Sequence, residues 1–190
     1  MLKKLVWEEN AVFSLQLRDN LFSLCQMRTG SIMQFFGCCS IDDTWPGVDL
    51  DQEKILGQYF VAENKLKPLF ARKIDPSEVR PNSREVPRLM LSAIIEANDQ
   101  YGGSLVRLNT AYSMLGEEMV TANLDKDVDW EIIRSHEFMG MEGSVNKLRA
   151  RLLRYFDTGV WWDDQKSFLF RGIRLPEPDK DFVPCQARTR

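Results

Sequence analysis

The chain has 190 residues, 28 acidic and 25 basic side chains, one histidine and a formal net charge of -3. A chain of this length can bury a core without a disulfide or metal staple. Its mildly acidic balance is a poor match for phosphate backbones, whose affinity comes from lysine and arginine. No apolar run reaches the roughly 20 residues of a bilayer span.

The N-terminal MLKKLVWEENAVF has neither a long apolar segment nor a small-residue cleavage site, so no signal peptide is expected. Three short runs follow, VFSLQL (12–17), LFSLCQM (21–27) and SIMQFFGCC (31–39). The first two alternate apolar with small or polar residues, the third runs on as a strand, and Arg18-Asp19-Asn20 and Thr29-Gly30 supply turn chemistry between them. That pattern predicts an antiparallel β meander. DDTWPGVDLDQEK (42–54) holds a proline, a glycine and five carboxylates, and reads as an exposed loop. GQYFVAENKLKPLFARKI (57–74) reads as two strands around a turn at Glu63-Asn64. DPSEVRPNSREVP (75–87) carries three prolines and no apolar periodicity, and reads as a connection between two halves of one domain, 1–75 and 88–190.

The second half is mixed. RLMLSAII (88–95) fits strand or helix, because a short apolar run is ambiguous by periodicity, and Tyr101-Gly102-Gly103 is expected to break it. Acidic residues gather between 117 and 131, where Lys126 is the only base. In GSVNKLRARLLRYFDTG, Ser144 is placed as an N-cap and Gly159 as a helix-ending residue. Val145, Leu148, Leu152 and Phe156 share one face at spacings of three and four. Lys147, Arg149, Arg151 and Arg154 lie mostly away from it. SFLFRGI (167–173) reads as a final strand after an Asp163-Asp164 turn. The predicted fold class is therefore α+β: an N-terminal antiparallel meander, a mixed second half, and a C-terminal amphipathic helix plus strand.

Chemistry-bearing patterns are few. Cys25, Cys38, Cys39 and Cys185 have no CxxC spacing, and His136 is the only histidine available to complete a zinc site. Reduced thiols in a cytoplasm, and no metal or cofactor, are expected. His136 has no GxSxG elbow to serve, and is expected to hydrogen-bond a neighbour such as Glu137. Gly102-Gly103 lacks the spacing and lysine of a phosphate-cradling loop. Two further readings stand beside these. Trp161, Trp162, Asp163 and Asp164 can be read as a sugar-stacking platform with a carboxylate pair, a hydrolase site, or as helix-end anchors and a turn. Lys147, Arg149, Arg151 and Arg154 can be read as the surface of a nucleic-acid-binding adaptor, or as a solvated helix face.

The order of the pieces, from VFSLQLRDNLFSLCQMRTGSIMQFF through the acidic Trp-Pro-Gly loop to HEFMGMEGSVNKLRARLLRYFDTGVWWDDQKSFLF, resembles the small immunity proteins of bacterial polymorphic-toxin and contact-dependent growth inhibition systems. The resemblance implies a cytoplasmic, non-enzymatic protein that neutralises one cognate toxin domain, often a nuclease, by binding it, with no catalytic residues and no direct contact with nucleic acid or membrane. Aromatic anchors and charge complementarity are the chemistry of such an interface. Asp42, Asp43, Trp45, Asp49 and Asp51 in the first acidic loop, and Asp125, Asp127 and Asp129 in the second cluster, are the residues expected to meet the toxin.

Overall fold

The computed structural model describes residues 5–95 and 101–185; residues 1–4, the start of the stretch read for a signal peptide, lie outside them. Among the described residues no helix is long and apolar enough to cross a membrane. The chain divides into two compact units. The first comprises Met1–Val86, Met141–Trp161 and Pro178–Arg190, and the second Pro87–Gly140 and Trp162–Glu177.

The elements run β1 (Val12–Arg18), β2 (Leu21–Met27), β3 (Ile32–Ser40), β4 (Val48–Asp49), β5 (Ile55–Val61), α1 (Glu63–Leu66), β6 (Phe70–Lys73) and β7 (Val79–Arg80). They continue as β8 (Leu89–Ile95), β9 (Tyr101–Arg107), β10 (Glu118–Thr121), α2 (Trp130–Ser135), β11 (Met141–Glu142), α3 (Val145–Thr158) and α4 (Asp164–Leu169). The fold is α+β. The predicted meander is present as β1, β2 and β3, each antiparallel to the next. The turn at Glu63-Asn64 is a helical one, with α1 and a 3-10 turn at Lys67–Leu69 carrying the chain from β5 to β6.

The first unit is built on a six-stranded sheet of order β11-β5-β3-β2-β1-β6, with β11 parallel to β5. Side chains alternate across a strand, and here both faces are covered. One face carries Phe13, Leu15, Cys25, Met27, Met33, Phe35 and Tyr59, packed with Leu148, Leu152, Tyr155 and Phe156 of α3. The other carries Val12, Leu24, Phe36 and Cys38, packed with Trp45, Leu50, Ile74 and Val79 from the loops on either side of β5 and β6. Burial on both faces explains why so little of β2 and β3 is exposed.

The second face is covered by chain with little regular structure, and its backbone groups need partners. The Gln26 amide supplies two: its Nε2 donates to the Asn82 carbonyl at 3.0 Å, and its Oε1 accepts from Asn82 N at 2.8 Å. Asn82 Nδ2 donates to Gln34 Oε1 at 2.8 Å, and Arg28 Nη1 donates to the same oxygen at 2.7 Å. All four side chains are buried. The stretch 75–87, expected to be a free connection, is thus pinned to the sheet, and Asn82 and Val86 lie in the interior. The break between the units falls at its far end, between Val86 and Pro87.

The long helix forms where its caps predict. Ser144 Oγ accepts from Lys147 N, and Gly159 ends α3 at φ 74. A side chain at Gly159 would collide with Phe182, since an added Cβ lies 2.6 Å from Phe182 Cγ. The basic stripe is interrupted, however. Arg151 is buried, its guanidinium carbon 4.8 Å from the Tyr59 ring centre and 5.9 Å from that of Trp161, with Glu142 3.9 Å away. A long apolar stem and a weakly hydrated, planar head let arginine sit where lysine would not.

The second unit has the three-stranded antiparallel sheet β10-β9-β8. Gly102 and Gly103, expected to break the chain, lie within β9; the Phe170 ring approaches Gly103 so closely that an added Cβ would lie 3.0 Å from it. The final strand expected at 167–173 is not formed: residues Asp164–Leu169 are α4. Asp163 Oδ1 accepts from Gln165 N at 2.9 Å, an N-cap bond that starts a helix rather than a strand turn. Lys166 of α4 is fully buried, with its ammonium 3.1 Å from the Arg134 carbonyl, 3.6 Å from Glu137 and 5.3 Å from the Trp162 ring centre.

The thiol expectation is corrected at two positions. Cys39 and Cys185 form a disulfide across 146 residues of sequence, whereas Cys25 and Cys38 are buried and outside it. Burial pushes the Cys25 thiol far above its ordinary range. A bridge closing so long a loop removes much entropy from the unfolded chain. Cys39→Ser should therefore lower the unfolding free energy by about 2–4 kcal/mol in urea titrations, and reductant should do the same to the native chain. Identical midpoints with and without reductant would show that the bridge contributes nothing to stability.

Candidate functional site

The first acidic loop, 42–54, leaves β3 at Ser40 and returns to β5. Its shape is set by its own carboxylates. Asp42 Oδ1 accepts from Thr44 Oγ1 at 2.6 Å, from Thr44 N at 3.2 Å and from Ser40 Oγ at 2.9 Å. These bonds, that from the Thr44 hydroxyl foremost, hold the Asp42 carboxyl below the usual carboxylate range. Asp43 sits at φ 60, a left-handed conformation that aspartate tolerates better than most residues. It is fixed from three sides: Trp45 Nε1 donates to Oδ1 at 2.8 Å, Arg72 Nε to Oδ2 at 3.0 Å, and Ser14 Oγ to Oδ2 at 3.1 Å. Arg72 also makes a two-pronged pair with Glu78 at 2.7 and 2.8 Å, which raises the guanidinium's affinity for its proton and lowers that of the Glu78 carboxyl.

Trp45 is not the exposed aromatic that the loop reading placed on the surface. It is 3% exposed and packs with Leu24, Phe36 and Leu50. Its ring offers more apolar area than any other side chain of the loop, and the open second face of the sheet buries it. Asp49 accepts from Asp51 N at 2.9 Å and from Arg80 Nη1 at 3.2 Å. Asp51 accepts from Ser83 N at 2.7 Å and Ser83 Oγ at 2.8 Å, and these bonds, the backbone one foremost, depress its pKa. Arg84 closes the loop from the other side, donating to the Leu50 and Glu53 carbonyls at 2.7 and 2.8 Å.

The result is a fixed acidic hollow. A concavity of about 530 Å³ is lined by Ile41, Asp42, Asp49 and Glu53, with Trp45 and the Cys39–Cys185 bridge among its walls. A second, of about 300 Å³, adjoins residues 44–47 from the side of Ser77 and Glu78. Residues 44–47 line both, so the Trp-Pro-Gly turn stands as a ridge between two hollows. Sequence reasoning found the loop but missed Arg72, Ser83 and Arg84, which shape it from 20 to 40 residues away along the chain. For Ser83 and Arg84 the only signal was the arginine and serine in a segment read as a connection; Arg72, in a segment read as strand, had none.

The second acidic cluster lies in the second unit. Asp125 Oδ1 accepts from Asp127 N and Val128 N at 2.8 and 2.9 Å, which depress its pKa, that from Val128 first. Asp129 Oδ2 accepts from Asp125 N at 2.9 Å. Asp127 pairs with Lys126 at the exposed tip. The cluster is a tight turn leading into α2.

Trp161 is half-buried beside Tyr59 and Tyr155. Trp162 is buried, its Nε1 donating to Ser167 Oγ at 2.9 Å. Asp163 is turned inward as the α4 cap, while Asp164 is exposed in the helix's first turn. His136 Nδ1 lies 3.0 Å from the Ile132 carbonyl and 3.1 Å from Ser135 Oγ, both near it in the chain. Of the four helix cations, Lys147 is exposed and Arg151 is withdrawn into the core. Among the described residues, no group of three His, Cys, Asp or Glu side chains is arranged to hold a metal ion.

Two consequences can be measured. Trp45→Ala should cost about 3–5 kcal/mol of stability, as removal of a buried tryptophan does; a change below 1 kcal/mol would mean the ring is not in the core. The carboxylates of Asp42, Asp51, Asp75, Glu78 and Asp125 all have lowered pKa values in the folded chain. In the window between their folded and unfolded values the unfolded chain binds more protons, so stability rises with pH there. Their contribution is complete above the ordinary carboxylate value of about 4 and is lost as pH falls below it. Melting temperature should be level through the mildly acidic range and drop steeply below that point; a level profile across it would contradict these bonds.

The family described as Domain of unknown function (DUF8309) has a model that matches residues 2–175, and the chain belongs to that family. No curated protein and no solved structure matches the chain.

Proposed function

We propose that this DUF8309 chain is an immunity protein, which binds a cognate toxin domain of nuclease type and neutralises it by covering its active site. One observation carries the reading: the acidic loop is preformed. Its carboxylates are held by Thr44, Arg72, Arg80 and Ser83 around a hollow of about 530 Å³. A surface that is already ordered loses little entropy on binding. A fixed array of negative charge steers and registers a basic partner, and a nuclease must present basic groups to its phosphate substrate. Asp42, Asp49 and Glu53 line the hollow and meet such a partner there. Asp43 and Asp51 act through them by holding the loop's shape, and Trp45 does so from below.

The reading requires that a neighbouring reading frame encode a toxin domain, and the test uses that domain. Asp42→Asn with Asp49→Asn removes two charges but keeps the acceptor oxygens that close the turns. The pair should weaken binding at least about tenfold, mostly through slower association, and flatten its salt dependence. Protection of cells expressing the toxin should fall in parallel. Unchanged affinity and protection would remove the loop from the interface, and a toxin domain that fails to bind the native chain would overturn the whole reading.

A cytoplasmic location belongs to the same proposal, and the Cys39–Cys185 bridge is the physical argument against it, because cytosolic thiols are kept reduced. Trapping thiols in intact cells decides between them. A cytoplasmic chain should show all four cysteines reactive after unfolding, and a chain from an oxidising compartment only Cys25 and Cys38.

A further inference from the structure

β10 ends the second unit's sheet, so among the described residues no strand pairs with its outer edge. Such an edge presents backbone N–H and C=O groups in a row, a template for another chain. Natural edges are usually covered or charged. This one is uncovered and acidic, and beside its glutamates it carries Met119 at 57% and Val120 at 41% exposure. The pairing with β9 steps between Met119 and Thr121, so Val120 is an extra residue without a partner in that register. The chain on either side adds Leu115, 81% exposed, and Val128, 84% exposed. Isolated exposed apolar residues are ordinary, but four within fourteen positions of one unit's edge are not.

The charge around them identifies the occupant. Glu117, Glu118, Asp125 and Asp127 are exposed, and the bases of this stretch, Arg107 and Lys126, are already paired with Glu118 and Asp127. A second copy of the chain brings only more glutamates to the same edge and no unpaired cation to meet them, and like charges gathered on one strand pair are destabilising. A basic extended segment suffers no such penalty.

We propose that the outer edge of β10 receives an extended, lysine- or arginine-rich segment of a protein partner as an added strand. The segment's apolar side chains pack on Met119 and Val120, and its cations face Glu117, Glu118 and Asp125. Recognition by strand addition draws affinity from main-chain hydrogen bonds and specificity from the alternating side chains. The toxin-binding reading supplies only the partner's identity; the edge itself is tested without it.

The experiment is amide hydrogen exchange on the full chain, read at residues 117–121. One arm adds the neighbouring toxin domain. A second adds a synthetic peptide of about eight residues alternating lysine and valine, long enough for one strand, with a glutamate-valine peptide as control. The basic peptide should slow exchange at 117–121 about tenfold or more, the acidic one should not, and high salt should abolish the effect. Met119→Lys with Val120→Lys should remove the protection while leaving the circular dichroism melt unchanged, since both positions are at the surface. If the toxin domain binds yet 117–121 exchange as before, strand addition is overturned and the toxin reading stands. If the toxin domain does not bind, that reading falls and the peptide arm alone decides the edge: slowed exchange supports it, unchanged exchange overturns it.

Discussion

The covering of the first unit's second face depends on two hydrogen bonds made by one glutamine. Gln26 stands on the second face of the sheet, and its amide bonds the backbone of Asn82 as a neighbouring strand would. A sheet covered by a helix on one face has few problems, because a helix satisfies its own backbone. A sheet covered on the other face by irregular chain must provide partners for that chain, or leave buried polar groups unpaired at about 1–3 kcal/mol each. Gln26, Gln34, Asn82 and Arg28 form that provision. Arg28 Nη2 reaches on to the Arg84 carbonyl at 2.9 Å, and Arg84 in turn holds the acidic loop. The loop's shape is thus set from inside the protein.

That dependence changes what the acidic residues mean. In an unstructured loop, five carboxylates would be a diffuse negative cloud. Here four of them hold the loop in shape: Asp42 accepts from Thr44 N, Asp43 from Arg72 and Trp45, Asp49 from Asp51 N, and Asp51 from Ser83. Asp42 and Asp49 also line its hollow with Glu53 and give it charge. The second unit solves the same problem on a smaller scale. Asp125 and Asp129 close a turn by accepting from backbone N–H groups, Asp125 staying exposed as it does so, and Asp127, Glu117 and Glu118 carry exposed charge beside it. Acidic residues that look alike in the sequence therefore act as joints, as surface, or as both.

How much of this was legible in the sequence follows from the range of the interactions. The meander was readable because alternation is local, and α3 because Ser144 and Gly159 mark its ends within a few residues. Residues 167–173 were misread because SFLF is too short for periodicity to separate strand from helix; the cap at Asp163 was the signal that outweighed it. Arg151 was assigned to the surface with the other cations because nothing on the helix itself reveals Tyr59 and Trp161 above it. Trp45 was assigned to the surface because its neighbours are aspartate and proline, whereas its burial is decided by Leu24 and Phe36 on strands before it. The Cys39–Cys185 bridge has no local signature at all. In the candidate site, the charges were visible and the arginines and serines that fix them were not, since each pairing spans some thirty residues.

The claim on which the rest stands is that the buried amides hold the acidic loop in shape. Amide exchange at Thr44, Asp51 and Ser83 measures it directly, because each of those N–H groups donates to a loop carboxylate. In the native chain the three should exchange slowly. In Gln26→Leu, which fills the space but cannot bond Asn82, protection at all three should fall while that of Leu152 in α3 persists. Equal protection in the two proteins would mean that the loop holds itself, and that the buried amides do not set its shape.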